Sequence, residues 1–315
     1  MPETSSQAVF HARYGQLRNP HVRDLAWLLD SPDLLDPAAP LWQGRIATLA
    51  PFLKPDFGAW LRQLDAQPQA LETLIAEHGF NRLGRYSELL MAFYLGNAGV
   101  LHAHGLQVRG SDNVTVGEFD FLLRDAAARL IHWEFATKFY LLQPQGEGQG
   151  GESLVGPNLA DSLAAKMRKI LDRQLVLSQQ AAAQLLLHEA VAQAQALIKG
   201  WLFYPVDAAP KRAIEGVNAA HCHGFWRPLG SVEGMPDAQF SVLPRMRWLA
   251  PARTAPEECF DRSGLADALK KHFSRDSLPL MIGIMQPGEG AMLEVERGFI
   301  VPDDWAARAN HYIRQ

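Results

Sequence analysis

The chain has 315 residues, of which 48% are hydrophobic and 20% charged, and its formal net charge is −4 at pH 7. This composition excludes a disordered or collagen-like chain, and the length suits one large domain or two to three small ones. The slightly acidic balance predicts no attraction of the whole molecule to nucleic acid, so such binding needs a local basic patch.

Cysteine content and hydropathy narrow the class of protein further. Cys222 and Cys259 are the only cysteines, which excludes a disulfide scaffold and a four-thiolate zinc site. No run approaches the ~18–20 consecutive apolar residues that span a bilayer, and the first residues lack the basic and apolar segments of a secretory signal. The sequence therefore predicts a soluble, cytoplasmic protein.

Residues 1–80 are predicted to form a helical N-terminal region punctuated by prolines. Apolar side chains recur at helical spacing in 22–29 and again in 57–78, where Pro68 interrupts the pattern. Gly79 is typical of a helix end.

Residues 81–205 are predicted to form the core of the fold, with elements in the order αβββαβ. The elements are a helix from Leu83 to Gly96, extended runs at 100–108, 115–123 and 129–142, a helix at 159–180 with helical sequence continuing to 197, and a buried strand at 199–205. Short connectors between the three extended runs predict an antiparallel meander. A polar, glycine-rich loop is expected at 143–151.

The last region, 206–315, is predicted to be a mixed α/β segment packed on the core. Its expected strands are 240–249 and 279–285, with a helix at 265–273. The predicted fold class is therefore α/β, in the form of an α+β mixed sheet with a helical extension before the core and a mixed one after it.

Acidic side chains are predicted to converge on two neighbouring strands of the core. Glu118 and Asp120 are two residues apart on one strand and share a face, as do Glu134, Ala136 and Lys138 on the next. If the strands pair through their short connector, Asp120 lies opposite Glu134, with Cβ atoms about 4.5–5.5 Å apart. Two carboxylates this close attract either a hard divalent cation or the ammonium of Lys138.

An alternative interpretation is that these charges form solvated ion pairs on an exposed sheet face, each worth ~0–1 kcal/mol. The sequence of the third strand, HWEFATKFYLL, is apolar on both sides of Glu134, and aspartate is a poor strand former at position 120. Both features favour a site near the core over a solvated face.

Three segments of the core together resemble a known family. They are Gly84-xxx-Glu88-xxx-Ala92, then GEFDFL at 117–122, then WEFATK at 133–138. In this order they resemble the core of the PD-(D/E)XK nuclease superfamily over residues 83–205. The GEFDFLL strand is similar to that of its Holliday-junction-resolvase-like members, and the chain resembles an uncharacterised proteobacterial family within the superfamily.

The resemblance implies a restriction-endonuclease-like core and a role for each matching residue. Asp120 and Glu134 would hold Mg²⁺ or Mn²⁺, and Lys138 would be the catalytic lysine. Other residues that the resemblance implicates are Glu88 as a supporting acid, with Glu118 and Gln174 as additional site residues.

One spacing departs from the pattern of that superfamily. Its acid and lysine are normally two residues apart, whereas Glu134 and Lys138 are four apart in this chain. Strand periodicity keeps the lysine on the same face but moves its Cα about 6–7 Å further along the strand. The lysine side chain can fold back across much of this distance, or a backbone bulge would shorten it.

A basic stretch on the helix after the third strand predicts contact with a phosphate backbone. Lys166, Lys169 and Arg173 recur there at helical spacing. The alternative is a solvated helix face with no ligand.

Histidines and cysteines offer a separate, zinc-binding interpretation by ligand type alone. The candidates are His102, His104, His221, Cys222, His223 and Cys259. Nothing in the sequence predicts that they lie together.

Three functions are compatible with these patterns. The first is a divalent-metal-dependent nuclease acting on DNA. The second is a catalytically inactive protein of the same fold that binds nucleic acid or another partner. The third is a metal-dependent hydrolase of small phosphoesters, which would be indifferent to DNA length.

Overall fold

A computed structural model describes residues 5–111, 113–143, 151–206 and 213–314 of the chain. Most of the glycine-rich loop expected at 143–151 lies outside these ranges.

The described residues begin with five helices and continue with strands that shorter helices separate into groups. The helices are α1 (Ser6–Tyr14), α2 (Pro20–Asp30), α3 (Phe57–Ala66), α4 (Gln69–His78), α5 (Leu83–Ala98), α6 (Leu163–Lys169), α7 (Ala181–Leu187), α8 (Arg262–Phe273) and α9 (Trp305–Ile313). The strands are β1 (Leu101–Arg109), β2 (Thr115–Arg124), β3 (Leu130–Leu142), β4 (Leu154–Val155), β5 (Val191–Pro205), β6 (Cys222–Pro228), β7 (Gln239–Val242), β8 (Arg253–Thr254), β9 (Leu280–Gly288) and β10 (Ala291–Val301).

The strands form one large mixed sheet in the order β1-β2-β3-β5-β6-β10-β9-β7, with β4 paired to β3 and β8 paired to β10. Strands β1, β2 and β3 form the predicted antiparallel meander. Strands β3, β5, β6 and β10 run parallel to one another across the centre. The fold is thus mixed α/β, and the strands after residue 206 extend the same sheet as the core strands.

Both faces of the central strands are covered by hydrophobic cores. On β3, Phe135 and Phe139 pack in one core with residues of α2 and α5. Ala136 and Tyr140 point to the opposite face and pack with residues of α6. The alternation follows from the period-two geometry of a strand, and it explains why β3 is apolar on both sides of Glu134.

The structure confirms the predicted helices around Pro68, where α3 ends and α4 begins, and the helix at 265–273. Helix α5 ends at Ala98, followed by Gly99 in the left-handed conformation at φ 76°. This backbone conformation favours glycine because it has no Cβ.

The prediction of continuous helix from 159 to 197 was wrong. The segment contains α6 with a π-helical turn at Ile170–Gln174, then the short α7, and β5 begins at Val191. Helix α7 ends at Leu187, followed by His188 in the left-handed conformation at φ 57°. The alanine- and glutamine-rich sequence after it pairs with β3 along twelve residues, so strand pairing overrides helical propensity.

The predicted strand at 240–249 was also too long. Strand β7 ends at Val242, because Pro244 follows and a short 3₁₀ helix occupies Arg245–Arg247. Proline has no amide hydrogen to donate to a strand ladder.

Among the described residues, every helix is too short or too polar to traverse a lipid bilayer.

Candidate active site

The acidic residues meet where β2 separates from β3. The backbone pairing between these strands starts where Arg124 pairs with Leu130 and ends where Phe121 pairs with Trp133. It therefore stops one residue before Asp120. At the separation, the backbone N–H of Phe135 donates to Asp120 Oδ2 at 2.9 Å. A side-chain carboxylate therefore replaces the backbone acceptor that continued pairing would supply, and this bond orients Asp120.

Carboxylates from two elements surround this position. Of the residues that the structure describes, Glu88, Glu118 and Asp120 form the single group with metal-ligand types whose atoms all lie within 4.8 Å of one another. Glu88 is contributed by α5, which is fixed to β3 through a contact of 3.0 Å between Ser87 Oγ and Thr137 Oγ1. The two carboxylates of β2 therefore face the helix as well as β3.

Glu134 is buried beside this group and is held by two donors. Its Oε1 lies 2.9 Å from His132 Nε2, and its Oε2 accepts a hydrogen bond from the Gln174 side-chain amide. Burial lowers the pKa of His132 to about 4, so the ring is neutral at pH 7, and its Nε2–H tautomer is the one that donates to an ionised Glu134. Two donors on opposite oxygens give the Glu134 carboxyl one orientation.

The carboxyl groups of Asp120 and Glu134 lie within hydrogen-bonding reach of each other. Burial raises the pKa of Asp120, and the neighbouring charge of Glu134 raises it further. Burial also raises the pKa of Glu134, against opposing effects of its bond with Asp120 and the charge of Lys166. Loss of solvation is thus the main reason why both carboxyl groups resist ionisation, and a cation bound between them would favour the ionised forms.

Arg85 and His104 contact the outer side of the acidic group. Arg85 Nη1 lies 3.2 Å from Glu118 Oε1 and 3.5 Å from Glu88 Oε1. His104 Nε2 lies 3.0 Å from the same oxygen of Glu88, and its ring stacks on Phe121. These contacts hold the carboxylates of Glu88 and Glu118 in place.

The two lysines near the site have different partners. Lys138 Nζ forms an ion pair with Asp161 Oδ2 at 2.6 Å and lies over the ring of Tyr140. Lys166 Nζ donates instead to Gln174 Oε1 at 3.4 Å, so it is linked through Gln174 to Glu134. Burial lowers the pKa of Lys166, while the charges of Asp120 and Glu134 act in the opposite direction. The lysine whose charge acts on the carboxylates is thus Lys166, which belongs to α6.

The other residues predicted from the sequence lie either at the protein surface or in other parts of the fold. Lys169 and Arg173 are exposed on the helical segment that carries Lys166. Among the zinc candidates, His104 bonds Glu88 and His221 bonds the Tyr204 hydroxyl, and no group of histidines and cysteines comes together within the described ranges.

Sequence reasoning missed His132 and Arg85. His132 is two residues before Glu134 on β3, so the period-two rule already places both on one face. Arg85 is three residues before Glu88, which is neighbour spacing on a helix.

Comparison with known proteins gives one match. The family described as "Domain of unknown function (DUF1853)" matches residues 23–301. The chain belongs to the DUF1853 family. No curated protein and no solved structure matches it. In this DUF1853 chain the match spans α5, all ten strands and the acidic residues.

Proposed function

We propose that the chain is a divalent-metal-dependent phosphodiesterase that cleaves DNA, with a restriction-endonuclease-like core formed by α5, β1–β3, α6 and β5. The observation that supports it most strongly is the group of Glu88, Glu118 and Asp120, whose oxygens lie within 4.8 Å of one another beside the buried Glu134. The resemblance of residues 83–205 to PD-(D/E)XK nucleases agrees with this chemistry.

The donor set fits Mg²⁺ or Mn²⁺. Carboxylate oxygens are the ligands that hard cations prefer, and burial raises the pKa of Asp120, with the neighbouring charge of Glu134 adding to it. Glu88, Glu118 and Asp120 would hold the ion, with Glu134 beside them. When bound, the ion would polarise a phosphoryl oxygen and supply hydroxide at neutral pH.

The chain's own residues have separate roles in this proposal. His132 and Gln174 orient Glu134, so its carboxylate is in place before substrate binds. Lys166 is the residue that would stabilise negative charge developing on the phosphoryl group, because its ammonium is linked to Glu134 through Gln174. Lys169 and Arg173, exposed on the same helical segment, would contact the flanking phosphates.

Purified protein is expected to cleave DNA in Mg²⁺ or Mn²⁺ and to lose this activity in EDTA. The assay compares single-stranded, branched and linear duplex DNA, with a chromogenic phosphodiester as the small-substrate control. Absence of metal-dependent cleavage of every DNA, together with no Mn²⁺ binding by calorimetry, would contradict the proposal. Turnover of the chromogenic ester alone would favour a hydrolase of small phosphoesters.

Substitution of the two lysines discriminates between their roles. Lys166→Met is expected to lower kcat by about 100- to 1000-fold, the usual effect of removing one donor to a developing charge. Lys138→Met removes an ammonium that Asp161 already binds, and we expect less than about a tenfold loss. The measurement is steady-state cleavage of one labelled oligonucleotide by both variants, and the reverse order would assign the catalytic role to Lys138.

The second candidate is a nucleic-acid-binding protein of the same fold without catalysis. The observation in its favour is the pairing of Lys138 with Asp161, which leaves the lysine of the motif strand in an ion pair. Retained DNA binding by Asp120→Ala, with no cation binding by the wild-type chain, would favour it.

A further inference from the structure

A cleft of about 300 Å³ lies between the core and the C-terminal region. Its walls include Gly84 of α5, Lys138 of β3, and the segment from Arg245 to Trp248. Leu278 closes a further side.

The cleft is close to the proposed reaction centre. Gly84 lines it, and Glu88 of the acidic group follows one helical turn later on α5, a rise of about 6 Å. The bond between Ser87 and Thr137 fixes this turn of the helix to β3. The cleft and the acidic group therefore share α5 and are about one helical turn apart along it.

The walls of the cleft are held in place before any ligand binds. His272 Nε2 lies 2.8 Å from the carbonyl oxygen of Leu278, and the backbone N–H of Leu278 donates to Asp276 Oδ1 at 2.9 Å. On the opposite side Trp248 Nε1 donates to the carbonyl of Leu243 at 2.8 Å. Hydrogen bonds therefore hold the loops that line the cleft. Because these loops need not be ordered when a ligand binds, the entropy cost of binding is lower.

The chemistry of the cleft suits a flat, uncharged group flanked by negative charge. Its lining is mainly apolar and includes Trp248, which packs edge-on against Phe139 at 5.4 Å. The charge of Lys138 inside is balanced by Asp161. Arg245 is exposed at the rim, with its guanidinium 5.8 Å from the Trp248 ring centroid. A nucleobase is the flat, uncharged group that fits this lining, and the phosphates on either side of the base supply the negative charge for Arg245.

We propose that this cleft binds one unpaired nucleotide of DNA next to the phosphodiester bond that is cut, so that the substrate class is DNA with a single-stranded segment. The inference rests on the proposed nuclease function. A base enters a cleft of this size only outside the helical stack, and removing it from a duplex costs a few kcal/mol. Single-stranded DNA does not incur that cost.

Gly84→Leu tests the cleft with little risk to the fold. A Cβ at Gly84 would meet no heavy atom within 4 Å, so a leucine there extends into the open space of the cleft. Leucine also has a higher helix propensity than glycine. Gly58→Leu is the matched control, because Gly58 lies in α3 and has equally open space around it. Arg245→Ala separately tests whether the guanidinium at the rim contributes to DNA binding.

Binding is measured without metal, in EDTA, by fluorescence anisotropy of a labelled oligothymidylate and of a labelled duplex. Gly84→Leu is expected to weaken single-strand binding at least about tenfold, the loss of one stacked base, and to leave duplex binding unchanged. Arg245→Ala is expected to weaken single-strand binding, and Gly58→Leu to match the wild type. Unchanged single-strand binding by Gly84→Leu, or an equal loss for both DNAs, would overturn the inference.

Cleavage assays of the same variants separate this inference from the proposed function. Metal-dependent cleavage by the wild type that Gly84→Leu leaves unaltered on single-stranded DNA would overturn the cleft inference while the nuclease proposal stands. Loss of single-strand binding in Gly84→Leu, in a wild type that cleaves no DNA, would support the cleft as a nucleotide site and overturn catalysis.

Discussion

Asp120→Asn is expected to lower metal-dependent DNA cleavage by at least about 100- to 1000-fold. The substitution removes one charge from the group formed with Glu88 and Glu118. Losing about 3–4 kcal/mol of charge stabilisation corresponds to this range, because 1.36 kcal/mol is a tenfold change in rate. The asparagine side-chain oxygen can still accept the 2.9 Å hydrogen bond from the Phe135 N–H, so the strands are expected to keep their positions. Initial rates on one labelled oligonucleotide measure the effect.

The control for this variant is Asp237→Asn, which changes an exposed aspartate in the C-terminal region.

Cation binding by the wild type and by Asp120→Asn gives a second measurement. Burial raises the pKa of Asp120, so protons compete with the cation. Mn²⁺ affinity of the wild type is therefore expected to fall as the pH is lowered from about 8 to 6, and that of Asp120→Asn to be weak throughout. Cleavage by Asp120→Asn at the wild-type rate would place the reaction at another site.

Arg297→Met is expected to lower the free energy of unfolding by about 3–5 kcal/mol, since it leaves a buried carboxylate without its cation. Arg297 and Glu294 are both fully buried, and the guanidinium donates to the carboxylate through Nε at 2.6 Å and Nη2 at 2.8 Å. The same guanidinium donates to the carbonyls of Trp248 and Ala250 and lies 4.2 Å from the ring centroid of Trp201. This network joins β10 to the segment that carries Trp248.

Urea denaturation followed by fluorescence measures the loss, with Arg308→Met as the control. Arg308 forms an exposed pair with Asp304 at 3.9 Å, for which we expect a loss below about 1 kcal/mol. The double variant Glu294→Met/Arg297→Met is expected to regain most of the stability, because it removes the isolated charge. A loss below about 1 kcal/mol in Arg297→Met would show that the pair makes no net contribution.

Local patterns predicted much of the first two thirds of the chain. The apolar periodicity and glycine end signals of α5, and the turn residues between β1, β2 and β3, are short-range features, so the elements appear close to their predicted bounds. The convergence of Asp120 and Glu134 also follows from strand periodicity and a short connector. Predictions of this kind depend only on neighbours along the chain.

Other features depend on contacts between distant segments. Strand β5 starts in alanine-rich sequence because it pairs with β3 over most of its length. Which of the two lysines lies near the carboxylates also depends on contacts between distant segments. Lys138 is the nearer to Glu134 in sequence, but Asp161 binds it, and a π-helical turn after α6 brings Gln174 to both Glu134 and Lys166.

The amino-acid sequence by itself determined the succession of α5, β1, β2 and β3 and the meeting of two acids, because periodicity and turns act locally. Only the tertiary structure decided which lysine neighbours those acids, that the last third of the chain extends the same sheet, and that a cleft forms beside α5. Each of these is a contact between segments far apart in the chain, and no local pattern specifies which segments meet.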